Sequence, residues 1–84
     1  MANKADPEYD TWNVKLWLEN TEWHQKSMTN FMKNYKGKNP YRAYIYHVDF
    51  VGQKTGDGVS WLAKKMDYKD LNEYMNEYAE RSAG

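Results

Sequence analysis

Cysteine is absent from this 84-residue chain. That excludes a disulfide framework, a thiolate metal site and a cysteine nucleophile. Branched aliphatics are scarce: Val, Leu and Ile together number nine, against fourteen Phe, Trp and Tyr. So few aliphatic side chains would point to disorder, but disorder also needs a large net charge or few aromatics. Here twelve basic residues balance twelve acidic ones, and the formal charge is zero. No apolar run reaches the roughly 20 residues of a membrane span. The polar opening Met1–Pro7 does not read as a signal peptide. These absences lead us to expect one small, soluble, cytoplasmic domain that folds by burying aromatic rings and needs no cofactor.

The chain divides by local signals. Residues 1–9 lack periodicity and are expected to form a flexible N-terminal tail, with a single helical domain over 10–80 and a short tail at 81–84. A first helix is predicted over Trp12–Glu19, capped by Asp10 or Thr11, with Tyr9 as a hydrophobic staple. Trp12, Val14, Leu16, Trp17 and Leu18 give it a wide apolar face. Asn20-Thr21 interrupts the pattern. A second helix is expected from Thr21 to Lys36 on the stripe Met28, Phe31, Met32 and Tyr35, closed by Gly37.

Asn39-Pro40 reads as an N-cap followed by proline at the first helical position. Beyond it, Tyr41, Tyr44, Ile45, Val48 and Val51 fit a helical stripe, whereas Tyr44, Tyr46, Val48 and Phe50 fit a strand. The cap favours helix. Gly52–Gly58 has turn chemistry, and Val59–Leu62 is expected to be extended and packed. Asp67 caps a last helix from Tyr68 to about Glu80. The expected class is all-α, a bundle of three to four short helices, becoming α+β only if 41–51 forms a strand.

Three segments together resemble an uncharacterised family of short proteins met mostly in phages, archaeal viruses and their hosts. Tyr9-Asp10-Thr11-Trp12-Asn13-Val14 resembles its Tyr-Glu-Thr-Trp-Asn-Val opening. Thr55 through Asp57-Gly58-Val59-Ser60-Trp61 is similar to its second block, and Asp67 with Leu71-Asn72-Glu73-Tyr74 to its close. The family carries no assigned activity, so the resemblance implies helices and a viral setting but no site.

Charge is segregated. Residues 1–25 carry a net −3, 26–65 a net +6 and 66–84 a net −3. Since the total is neutral, the acidic ends are expected to fold onto the basic middle rather than leave it for an anionic partner. Lys33, Lys36, Lys38 and Arg42 nevertheless interleave with Tyr35, Tyr41, Tyr44 and Tyr46, a pattern that can hold phosphates and stack bases. Asp70, Glu73, Glu77 and Glu80 form an acidic stripe, read as a solvated face or as a ridge for a basic partner. His24 and His47 lack the spacing of a zinc site, and His24 reads as a packed residue at the edge of the apolar stripe. No nucleophile, base or phosphate-loop motif is present, so a catalytic role is not expected.

Four tryptophans exceed what so small a core should absorb. Trp12, Trp17 and Trp61 are expected to be structural, which leaves Trp23 as a candidate contact residue. The expected function is a non-enzymatic binding protein, encoded by a phage and acting on a host protein. The candidate contact residues are Trp23, Lys33, Lys36, Lys38, Arg42, Tyr46, Asp70, Glu73, Glu77 and Glu80. The alternatives are nucleic-acid or nucleotide binding through the basic middle, and a homo-oligomeric structural role.

Overall fold

A computed structural model describes residues 7–83. It contains four helices: α1 (Pro7–Asn20), α2 (Glu22–Asn34), α3 (Pro40–His47) and α4 (Tyr68–Ala83). The all-α expectation holds, and the ambiguous 41–51 segment starts as helix. Of the expected tails, 1–6 and Gly84 lie outside the described residues.

Both outer helices are longer than the sequence patterns suggest. Helix α1 starts at Pro7, not at Trp12, so Asp10 and Thr11 lie inside it and cap nothing at its start. Proline favours the first helical turn, the signal already read at Pro40, and Glu8 and Asp10 there complement the helix dipole. Tyr9 is therefore no staple; it meets Trp12 one turn along, with ring centroids 5.7 Å apart. Helix α4 continues past Glu80 to Ala83. Arg81, assigned above to the tail, stands in its last turn, where a cation suits the dipole.

Thr21 alone breaks the α1–α2 run, in extended geometry at φ −109 and ψ 110. Gln25 then folds its amide back as a donor to the Glu19 carbonyl, satisfying one orphan group at the end of α1. Helix α2 ends at Asn34, and Tyr35 leaves it extended. Gly37 is not the left-handed cap expected. The Tyr35 ring folds over it so closely that an added Cβ would collide with the hydroxyl.

Helix α3 closes with a Schellman-type exit. The Phe50 N–H donates to the Ile45 carbonyl at 3.0 Å and the Asp49 N–H to Tyr46 at 3.2 Å, with Asp49 at φ +61. This exit turns the chain after His47, so the predicted stripe stops at Val48 and Val51 is left exposed. The connection to α4 forms one short antiparallel bridge, Lys54 to Ser60, around the expected Thr55–Gly58 turn. Val59 is buried in this loop, but Trp61 and Leu62 form a turn rather than the extended segment expected.

Helix α4 packs against the other three. The core joins Val14 and Leu18 from α1, Met28 from α2 and Tyr41, Tyr44 and Ile45 from α3. The loop adds Val59, Trp61 and Met66, and α4 adds Leu71, Tyr74 and Met75. Aromatic rings replace the missing aliphatics, and the buried Tyr41 hydroxyl finds a partner in the Trp61 carbonyl.

Candidate docking surface

The segments resembling the family hallmark converge on one polar network. Asn13, fully buried inside α1, accepts from the Thr55 hydroxyl at 2.7 Å and donates to Asp57 Oδ2 at 2.8 Å. The Trp17 indole N–H donates to the same oxygen at 3.0 Å. Thr11 Oγ1 accepts from the Asp67 N–H at 2.8 Å, while Asp67 itself caps α4 by accepting from the Asp70 N–H at 3.0 Å. In the sequence Thr55 carries a turn signal and Asn13 a place in the family-like opening, and neither announces a buried polar bond. An asparagine among apolar helix positions was the available signal, because Asn is a poor helix former unless its amide is bound. These residues hold α1 to the loop and to α4, and their role is architectural.

The surface is built from what the network leaves out. Trp61 is 4% exposed and Trp17 is half-buried over Gly56, as structural residues should be. Trp12 is 52% exposed, which corrects its assignment to the core. The helical spacing puts Val14 and Leu18 inward and turns Trp12 to the far side, so the wide apolar face is split between core and solvent.

Trp23 is 54% exposed at the start of α2. Its ring stacks on Phe50, with centroids 5.9 Å apart and planes 16° apart, and Val51 beside Phe50 is also exposed. Behind this pair sits His24, 4% exposed. Its ring lies within 5.0 to 5.9 Å of those of Trp23, Tyr44, Phe50 and Trp61, and its Nδ1 is 2.8 Å from the Tyr44 hydroxyl. Burial pushes the His24 pKa below its ordinary value, which keeps the ring neutral, and pushes the Tyr44 hydroxyl up to about 12. The apolar platform thus rests on a neutral aromatic cage.

The charged candidates occupy other surfaces. Lys33, Lys36, Lys38 and Arg42 are all exposed around the α2–α3 turn, and the Arg42 guanidinium lies 4.9 Å from the Tyr68 ring centroid. Tyr46, 57% exposed, lies one turn along α3 from Arg42. Glu73, Glu77 and Glu80 are exposed on α4. Asp70 departs from this stripe and pairs with Lys15 at 2.7 Å. A second ion pair joins Lys26 and Glu22 at 3.2 Å within α2. Lys26–Glu22 joins the acidic start to the basic middle only across their boundary, within one helix, so it does not fold an acidic end back onto the middle. One acidic end instead reaches the other, through Lys15 and Asp70.

A shallow open groove of about 380 Å³ between α2 and α3 is lined by Asn30, Phe31, Asn34, Tyr35 and His47. Among the described residues there is no group of three or more His, Asp or Glu placed to hold a metal, and no helix long and apolar enough to cross a membrane. No curated protein and no solved structure matches the chain. A family model does match, over residues 6–82, and by that match the chain belongs to DUF7249, a family of unknown function.

Proposed function

We propose that this chain is a non-enzymatic binding protein, phage-encoded, that works by occupying a surface of a host protein. The observation that carries the reading is the exposed Trp23 ring stacked on Phe50. Tryptophan is a favoured anchor in protein interfaces, and one held in place by a packed cage loses little side-chain freedom on binding. Covering the exposed half of this ring removes on the order of 100 Å² of apolar surface, worth roughly 2–3 kcal/mol. The test is affinity purification of the tagged full chain from host cells. A partner that survives high salt and is lost with Trp23→Ala supports the reading. Recovery of the same partner by Trp23→Ala would remove it.

A second reading, nucleic-acid binding, draws support from Lys33, Lys36, Lys38 and Arg42, which no described carboxylate pairs. Such binding depends on counterion release and weakens steeply with salt. Titration of the chain with labelled DNA and RNA at low and physiological salt separates the two. Micromolar binding at physiological salt, abolished by Lys36→Glu with Arg42→Glu, would favour nucleic acid over a protein partner.

A further inference from the structure

We infer that the Trp23–Phe50 platform is gated by pH through His24: the neutral imidazole holds the two rings together, and adding a proton to it releases them. This rests on the platform being the docking surface.

Among the described residues, the His24 ring contacts Trp23, Phe50, Tyr44 and Trp61 alike. Its ring meets Trp23 edge-on at 5.0 Å and Phe50 edge-on at 5.3 Å. Trp61 closes the cage at 5.2 Å and Tyr44 at 5.9 Å. Three elements, α2, α3 and the α3–α4 loop, therefore meet on one imidazole.

A proton added here has little to balance it. From α3 the Tyr44 hydroxyl faces His24, and burial keeps it protonated and uncharged. From the loop come Phe50 and Trp61, neither of which carries a charge. From α4, Tyr78 stands behind Tyr44 and its hydroxyl donates to the Gln25 carbonyl. On α2 itself Glu22 and Lys26 flank His24 in sequence, but both are highly exposed and paired to each other. An imidazolium in this cage would lack a counterion, and an unpaired buried charge either moves to solvent or forces the site open. Its exit lies between Trp23 and Phe50, the exposed wall.

The Tyr44 hydroxyl senses the same proton. In the neutral Nε2–H tautomer the hydroxyl donates to Nδ1, 2.8 Å away. A proton on Nδ1 reverses that bond, with Nδ1–H donating to the hydroxyl oxygen, whose own proton must find another acceptor.

The test uses the full chain in solution with no partner, so it fails or succeeds independently of the docking experiment. Tryptophan indole N–H cross-peaks and histidine ring resonances are followed by NMR from pH 7.5 to 5, in the His47→Gln variant so that His24 is the sole histidine. The Trp23 indole peak is expected to move with the His24 ring, both with a midpoint below the ordinary 6.5. In His24→Gln the Trp23 peak stays still over the same range. Tyr44→Phe, which keeps the cage but removes the hydroxyl, shifts both midpoints together, and it decides the matter if His24→Gln does not fold. The inference is overturned if the Trp23 peak stays still while His24 titrates, if it still moves in His24→Gln, or if the midpoints do not shift in Tyr44→Phe.

Discussion

Asn72 caps a helix other than its own. From α4 its Oδ1 accepts from the Tyr41 N–H at 3.1 Å, thirty-one positions earlier, at the start of α3. Asn39, the cap expected from sequence, makes no such bond; its side chain instead meets the Asn72 amide at 3.4 Å. A cap supplied from another helix couples the formation of one to the placement of the other. Asn72→Ala is expected to cost about 1 kcal/mol in urea denaturation. Asn72→Asp, which keeps the acceptor and adds a negative charge at a helix N-terminus, should recover most of it.

The two glycines of the Thr55–Gly58 turn are needed for different reasons, and alanine tells them apart. At Gly56 an added Cβ would run into the Trp17 ring, so Gly56→Ala should cost about 1–3 kcal/mol as overpacking. Shrinking the ring in the double variant with Trp17→Leu should remove that increment. At Gly58 the space is open but φ is +85, and Gly58→Ala should cost about 1–2 kcal/mol whatever residue 17 is. Double-mutant cycles on thermal unfolding distinguish the two.

Asp49 holds the left-handed position of the α3 exit, φ +61, where glycine carries no steric penalty. Asp49→Gly is expected to raise the urea midpoint, corresponding to roughly 0.5–1 kcal/mol. An unchanged or lower midpoint would mean that the aspartate contributes something beyond its backbone geometry.

Tryptophan truncations should separate core from surface. Trp61→Ala is expected to cost about 3–5 kcal/mol, a large part of the stability of so small a domain. Trp12→Ala and Trp23→Ala should each change stability by less than about 1 kcal/mol, since over half of each ring is already in water. Comparing melting temperatures of the three variants provides the check.

Stability should fall on mild acidification, with a sign fixed by His24. Its folded pKa is lowered by burial, while in the unfolded chain it titrates near 6.5. Between those two values the unfolded state binds more protons than the folded state. The stabilisation is therefore complete above 6.5 and is lost as pH falls through that window. Urea midpoints measured at closely spaced pH values should drop below 6.5 in the parent and drop less in His24→Gln.

The helices were legible because their signals are local. Pro40 after Asn39, Asp67 before Tyr68 and the stripe Met28, Phe31 and Met32 each act within a turn or two of chain, and each produces the helix it predicts. Pro7 carries the same message as Pro40, but no apolar stripe follows it at once to mark the helix. What stayed hidden depends on partners far along the chain. Trp12 and Trp17 look alike in sequence, yet the loop around Gly56 and Asp57 covers only Trp17. Asn13 looks like a surface residue until Thr55 and Asp57 arrive to bind it. For the candidate surface, Trp23 could be named from sequence as a surplus aromatic, whereas its companion Phe50 could not. The Schellman exit of α3 brings Phe50 back beneath Trp23, and no periodicity in either segment announces that return.

The polar network of α1 also dictates an order of events during synthesis. Thr11 and Asn13 find their partners 56, 42 and 44 positions downstream, at Asp67, Thr55 and Asp57. High-separation contacts of this kind raise the contact order and slow folding, because the loop must close before the bonds form. Of the four helices, α1 emerges first yet must wait for residues 55–67 to have its buried groups satisfied. Until Thr55 and Asp57 have emerged, Asn13 would be buried without a partner, a state costing about 1–3 kcal/mol, so α1 stays open to water. Nascent chains truncated before the Thr55 turn should leave α1 exposed to protease, with protection arriving in one step once residues beyond Asp67 clear the exit tunnel.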